Sequence, residues 1–345
     1  MYEKMCNFKN LYNAHLAARR GKSEKAEVIQ FEMNLAENLC TLQRELEDKT
    51  YRPHGYKHFM LYEPKARSIY APDYADRVVQ HCLCDNIVMP RLEPRLIYDN
   101  AACRVGKGTH FSMGRLSGFM REFYKCHGTD GYFLKCDIKK YFEHIKHDRL
   151  KEKLSSIFEA DVYSLLCHII DSYETGAGVG LPLGNQTSQW FALYYLDEVD
   201  RLIKEKLQIR YYVRYMDDFI LLHHDREYLG HCLNEIRSLC YDSLGLGLNS
   251  KTQVFPVKNG VDYLGWHFYM TESGKVIRKL KTPIKRRLKR RLKLLQQEYD
   301  RGLIELEGIE RSLASTTGHL IHGHTYRLRS KVYYNAAFIR TAPEL

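Results

Sequence analysis

Tyr211-Tyr212-Val213-Arg214-Tyr215-Met216-Asp217-Asp218-Phe219-Ile220-Leu221-Leu222 sets two adjacent carboxylates inside a run of aromatic, β-branched and aliphatic residues. Neither proline nor glycine interrupts the run, so both flanks are strand-forming. The simplest conformation is a tight hairpin with both aspartates at its tip. Neighbouring carboxylates repel and are costly to bury unless cations neutralise them, and hard divalent ions such as Mg²⁺ take oxygen ligands. An Asp-Asp pair alone also occurs as an acidic, solvated turn. The apolar residues pressing on both sides favour the cation-holding arrangement.

Around this stretch, 345 residues suffice for one large or two to three modest domains with a real core. No apolar run approaches the length of a membrane span, and Met1 to Asn10 lacks the apolar stretch of a signal peptide. A cytoplasmic protein with mostly reduced cysteines is expected, with no membrane partner. His81-Cys82-Leu83-Cys84 is the one tight cysteine cluster, and it lacks the spaced second pair of a zinc site. The net charge of +11 points to a polyanionic partner. Between Lys275 and Lys293 lie eleven Lys and Arg residues without one acid, which equals the whole excess. The cations therefore form one local stripe, and the rest of the chain is neutral.

Residues 1–50 read as helical: Val28, Phe31, Leu35, Leu39, Leu42 and Leu46 recur at steps of three and four, with Ser23 as N-cap. Arg19-Arg20-Gly21-Lys22 before that face is either a solvated loop or a nucleic-acid contact. Strand-like residues run from Tyr56 to Ala71, and Glu63 to Ile69 suggests a hairpin. Lys65 and Arg67 share one strand face there, an arrangement that suits a polyphosphate or is plain surface charge. A helix follows from Asp76 to about Val88. Arg104-Val105-Gly106-Lys107-Gly108-Thr109 lacks the Walker glycine spacing and reads as a basic loop along a nucleic-acid backbone.

Tyr132 to Ile138 reads as a buried strand ending in Asp137. A lone aspartate there can be a helix cap, but Asp217 and Asp218 offer it partners in a second strand. Gly176, Gly178, Gly180 and Gly184 precede a helix through Trp190 and Leu193, and glycines at such a place let a backbone approach a ligand. After the Asp-Asp hairpin come a helix (227–241), a loop carrying Lys251, and Val261 to Tyr269 as one hairpin arm turned at Ser273-Gly274. Thr282 as N-cap and Pro283 open a helix whose narrow apolar face, Ile284, Leu288, Leu292 and Leu295, is ringed by cations. Cations near a helix N-terminus oppose the macrodipole unless an anion binds. His319, His322 and His324 either ligate a metal or pack.

The order strand-Asp, aromatic, glycine loop with helix, Asp-Asp hairpin, loop lysine, aromatic-glycine hairpin and basic helix resembles that of reverse transcriptase motifs across nearly the whole chain. The resemblance implies an α+β right-hand polymerase fold. Its parts would be an N-terminal helical extension (1–55), fingers (56–131), a palm (132–274, with the 171–190 loop-helix and the 261–274 primer-grip hairpin) and a basic helical thumb (275–345). It implies an RNA-directed DNA polymerase using two Mg²⁺ ions and dNTP substrates. Asp137, the Ile138 backbone, Asp217 and Asp218 would form the metal site, and Lys251 would protonate the leaving group. Lys65, Arg67, Phe142, Leu183, Gly184 and Gln189 would bind the nucleotide, with Phe142 as the gate against a 2′-hydroxyl. Arg104, Lys107, the grip residues Leu264, Gly265 and Trp266, and Arg286, Arg287, Arg290 and Arg291 would bind nucleic acid. RNA polymerases with a similar palm carry a small or polar gate residue and Gly-Asp-Asp, and this chain has neither.

Ala102 to His110, with Leu183-Gly184-Asn185-Gln186-Thr187-Ser188-Gln189, resembles the reverse transcriptases of diversity-generating retroelements. Glu63-Pro64-Lys65 and Arg19 to Lys22 agree, while Asn100-Ala101 departs from the more usual Ser-Tyr. This implies error-prone copying, at adenines, of a template-repeat RNA, with a small basic pentameric accessory protein as partner and a variable repeat as the destination of the cDNA. Retroviral and group II intron enzymes read Gln-Gly and Ser-Pro at Leu183-Gly184 and Ser188-Gln189. A stand-alone bacterial reverse transcriptase of another group, in antiphage defence or retron-like, shares the core motifs and is the alternative. A non-catalytic RNA-binding relic fits poorly with three intact aspartates. No maturase segment and no RNase H domain is expected after Lys275.

Overall fold

The structure is a computed structural model and describes residues 1–62, 66–334 and 338. Three helices open the chain: α1 (Phe8–Ala18), α2 (Ala26–Met33) and α3 (Leu35–Glu47). The expected apolar face is present, with Val28, Phe31, Leu39, Leu42 and Leu46 all buried, but two helices carry it. The break is at Asn34, which leaves helical geometry at φ −127° and ψ 42°, and the Asn38 amide donates to the Phe31 carbonyl freed there at 2.9 Å. Lys25, not Ser23, occupies the cap position of α2.

β1 (Tyr56–Leu61) and β2 (Arg67–Pro72) pair antiparallel, from Tyr56 opposite Pro72 to Leu61 opposite Arg67. The tip of this hairpin, with Lys65, lies outside the described residues. α4 (Tyr74–Leu83) starts at Asp73, whose carboxylate accepts from the Ala75 N–H at 3.0 Å. α5 (Met89–Leu92) and the long α6 (Thr109–His127) follow.

The centre is a four-stranded antiparallel sheet in the order β4-β5-β3-β6. Its strands are β3 (Tyr132–Asp137), β4 (Tyr211–Tyr215), β5 (Asp218–His223) and β6 (Gln253–Pro256). Between β3 and β4 run α7 (Tyr141–His144), α8 (His147–Ser155), α9 (Ala160–Asp171), α10 (Gln186–Tyr195) and α11 (Asp197–Arg201), and α12 (Arg226–Ser238) joins β5 to β6. Successive side chains of a strand point to opposite faces. Leu134, Cys136, Tyr212, Phe219 and Leu221 enter one core with α9, α10 and α12. Phe133, Val213, Ile220 and Leu222 enter a second core with α6 and the C-terminal elements. Both faces are covered, and for that reason the strands read as unbroken apolar runs.

The stretch from Val261 to Tyr269, expected to be one arm, is two strands. β7 (Val261–Tyr263) and β8 (Trp266–Met270) pair across a two-residue turn in which Leu264 and Gly265 have φ of 47° and 88°. Positive φ at both central residues makes the turn match the twist of its strands. β9 (Val276–Leu280) then completes a three-stranded sheet beyond Ser273-Gly274. α13 (Thr282–Asp300), α14 (Leu306–Leu320) and α15 (Tyr326–Tyr334) end the described chain. The cap position of α13 is Lys281, one residue before the expected Thr282. Leu288 and Leu295 are buried, and Ile284 and Leu292 pack beside the core that Leu288 enters. Among the described residues no helix is long and apolar enough to cross a membrane.

Candidate active site

Tyr215 pairs with Asp218, so Met216 and Asp217 form the turn between β4 and β5. Met216 sits at φ 55°, a left-handed conformation uncommon for a residue with a side chain. A buried polar cluster beneath holds it there. Arg214 donates to the Met216 carbonyl at 3.0 Å, to the Leu193 carbonyl at 3.0 Å, and to both Asp200 oxygens at 2.8 and 2.5 Å. Tyr212 donates its hydroxyl to the same carboxylate at 2.6 Å. Arg214 and Asp200 both have 0% exposure. Sequence reasoning passed over this pair. Its signal was an arginine at an inward position of an apolar strand, which demands a buried acid.

Asp137 ends β3 directly opposite Asp218, which places carboxylates of two strands side by side. The loop after α12 secures Asp137: Asn249 donates its side-chain amide to the carboxylate at 3.0 Å and its backbone N–H to the Asp137 carbonyl at 2.7 Å. Thr252 accepts from the Asp137 N–H at 3.4 Å, and Ile138 bridges to Leu248. Asn249 and Thr252 are further residues that the sequence did not single out.

Burial raises the Asp217 carboxyl above its ordinary range, and the Asp137 charge adds to this while Arg214 and Arg67 oppose it. Burial also pushes Asp218 up to about 6, with Asp137 and Asp217 adding and Lys135 opposing. Asp218 Oδ1 is buried and makes no hydrogen bond among the described residues, its ion-pair partner being the Lys135 ammonium at 3.3 Å. An oxygen-only donor set in which burial and mutual repulsion hold Asp217 and Asp218 above the usual carboxylate range, with Lys135 as its paired cation, fits a hard divalent cation. Among the described residues no three His, Cys, Asp or Glu side chains close a cage.

The other expected residues fall into three groups. The charge of Arg67, on β2, acts on Asp217. Gly184 lies so close to β2 that a Cβ would overlap the Tyr70 carbonyl oxygen. Beside it Leu183 is 37% exposed, and Gln189 is exposed on α10. The carbonyl of Phe142, on α7, accepts from the Leu181 N–H at 2.8 Å, tying the half-buried ring to the same loop. Lys251 is exposed, and its backbone N–H bonds Asn249 at 3.1 Å.

A second group is committed within the fold. Arg104 binds the Glu93 carboxylate at 3.2 Å and the Ile97 and Asn100 carbonyls, and Lys107 binds the Tyr98 carbonyl at 2.5 Å under two rings. Trp266 has 0% exposure, and its indole lies against the Gly323 backbone. It fastens the turn to the C-terminal helices and leaves any outside contact to Leu264 and Gly265. The third group is the stripe: Arg286, Arg287 and Arg290 are exposed along α13, and Arg291 donates to Ser312 at 3.2 and 3.1 Å.

Only Asp217 is on the turn, and Asp218, expected at the tip with it, is the first residue of β5. A central antiparallel sheet presenting aspartates at the ends of two neighbouring strands and a third on the adjoining turn, beside a helical C-terminal part, is a polymerase palm. The reverse transcriptase (RNA-dependent DNA polymerase) family matches residues 63–268. That is more than half of the chain, and the chain belongs to this family: the domain is that of an RNA-directed DNA polymerase. In fold it is similar to telomerase from Candida albicans in complex with a TWJ fragment of telomeric RNA (TM-score 0.51, 15% identity, covering 74% of this chain and 52% of that one). Apo telomerase from Candida tropicalis truncated from its C-terminal domain aligns at a TM-score of 0.50 with 15% identity, covering 68% of this chain and 58% of that one. The chain thus spans between half and three fifths of the length of these structures. No curated protein matches it.

Proposed function

We propose that the chain is the error-prone RNA-directed DNA polymerase of a diversity-generating retroelement, making adenine-mutagenised cDNA from a template-repeat RNA. The observation that carries the polymerase reading is the set of crowded carboxylates, Asp137 opposite Asp218 with Asp217 on the turn. Two Mg²⁺ ions bound there would supply Lewis-acid chemistry, lowering the pKa of a primer 3′-hydroxyl and stabilising the leaving pyrophosphate. Asp137 and Asp217 would hold them, with Asp218 and the Ile138 backbone completing the set. Arg67, with Lys65, binds the triphosphate of a dNTP, and Lys251 gives its proton to the pyrophosphate. On this reading the chain divides as the resemblance implies, into an extension (1–55), fingers (56–131), palm (132–274) and thumb (275–345). The α13 arginines follow the RNA/cDNA duplex, and the Leu264-Gly265 turn holds the primer end. Phe142 excludes ribonucleotides, so Phe142→Val admits them. Single-nucleotide incorporation assays with dNTP and NTP pairs check this, and unchanged selectivity would move the gate to another residue.

The retroelement reading draws support from Leu183. In related polymerases a glutamine before this glycine donates and accepts hydrogen bonds at the nascent pair, whereas Leu183 can only pack. One such bond is worth about 0.5–1.5 kcal/mol, roughly a factor of 2 to 13 in discrimination. Leu183→Gln is therefore expected to lower misincorporation opposite template adenine several-fold while activity is kept. Sequencing of cDNA made by both proteins on one template decides it, and equal error spectra would count against the retroelement reading. The same reading supplies the remaining partner, a small basic pentameric accessory protein, and a cytoplasmic setting. Pull-down of the chain with that protein, and paired repeats differing at adenines in the neighbouring DNA, test it independently.

A further inference from the structure

Lys135 stands two residues before Asp137, so both side chains project from the same face of β3. That face is turned toward β7, β8 and β9, since Phe133 and Ile220, which alternate with the other core, pack with Val261, Tyr263 and Trp266. Lys135 Nζ donates to the Asp262 carbonyl on β7 at 2.6 Å and to the Asp218 carboxylate at 3.3 Å. An ammonium has three N–H donors and can serve both at once. The carboxylate of Asp262 in turn pairs with His267 at 2.8 Å and with Lys281 at 2.7 Å, the residue at the cap position of α13. A polar chain thus runs from Asp218 through Lys135 and Asp262 to the root of the C-terminal helices.

The apolar contact between the two sheets attracts without fixing a register, because hydrophobic burial is non-directional. Charge-assisted hydrogen bonds are short and directional. We propose that Lys135 is a positioning residue: it joins Asp218 to the primer-holding sheet, and so sets where a primer end lies relative to the carboxylates. The proposal rests on the reverse transcriptase reading. It carries a second consequence. Lys135 is also the counter-charge nearest Asp218, so removing it makes the carboxylate set more attractive to divalent cations while the primer end loses its alignment. Metal affinity and turnover then move in opposite directions, whereas a purely structural loss lowers both.

Lys135→Met keeps the chain length and removes the charge, and Lys135→Arg keeps the charge. Mn²⁺ titration of the protein alone, by calorimetry, is expected to show about tenfold tighter binding in Lys135→Met. Primer extension is expected to show a kcat about 10- to 100-fold lower, as for a misplacement on the order of 1 Å. Affinity for template-primer, which α13 supplies, stays within about twofold of the unsubstituted protein, and Lys135→Arg restores most of the turnover. Where Lys135→Met does not fold, Lys135→Gln, which keeps a donor for the Asp262 carbonyl, reads the same two quantities. Unchanged Mn²⁺ affinity and turnover overturn the proposal, and so does a parallel fall of both. If the unsubstituted protein extends no primer, the polymerase reading fails, and with it the positioning role; the Mn²⁺ comparison then still reports whether Lys135 governs the charge at Asp218.

Discussion

Asp217→Asn is expected to lose DNA synthesis by about a thousandfold or more in Mg²⁺, a loss of transition-state stabilisation of the kind that removal of a charge-stabilising group produces. Asp217 is on the turn itself, raised by burial and by the charge of Asp137, so its ionised form has value there only toward a cation. The amide is nearly isosteric and keeps the turn, which Arg214 holds through the Met216 carbonyl rather than through Asp217. Template-primer affinity should therefore stay close to that of the unsubstituted protein, because the exposed arginines of α13 are untouched. Primer extension together with filter binding checks both halves. Near-normal extension by Asp217→Asn, or by Asp137→Asn, would remove these carboxylates from the chemistry.

The second large effect concerns stability. Asp200→Ala leaves the Arg214 guanidinium buried with no counter-charge, and breaking a buried pair from one side costs about 3–5 kcal/mol. The urea midpoint should fall accordingly. Replacing the whole cluster, Asp200→Leu with Arg214→Met and Tyr212→Phe, removes every buried charge, though the Leu193 and Met216 carbonyls lose their donor, and should recover part of that loss, since apolar substitutes for a buried ion pair are often neutral or better. Activity should not return. The donor to the Met216 carbonyl is gone, and a left-handed residue at the Asp217 turn has lost what holds it. A triple variant that is both stable and active would show that the turn needs no support from below.

The elements that local pattern specifies were legible in the chain. The Tyr211 to Leu222 run is a hairpin with Asp217 at its turn, Tyr132 to Asp137 is its neighbour, and Ile284, Leu288, Leu292 and Leu295 face one way. Each follows from an unbroken apolar run or from helical spacing within about a dozen residues. What escaped depends on residues far apart in sequence. Asn249 reaches Asp137 across 112 positions, and Lys135 reaches Asp262 across 127, with no periodic trace of either in the text of the chain. The Asn34 break and the Leu264-Gly265 turn were missed for another reason. Apolar spacing continues through both, because the cores on either side of each interruption are continuous. Trp266 shows the reverse limit: its place in an aromatic-glycine hairpin was readable, but not that the C-terminal helices would close over it.

That closure has a practical side. The chain holds two tryptophans, and both are buried, Trp190 in the helix after the glycine loop and Trp266 against the backbone of Gly323. Indole emission shifts to the red when water reaches the ring, and only one of these rings sits at a joint between parts. Swinging α14 and α15 away would wet Trp266 and leave Trp190 dry. With Trp190→Phe, the emission of Trp266 alone reads whether the C-terminal helices open when a template-primer duplex is added.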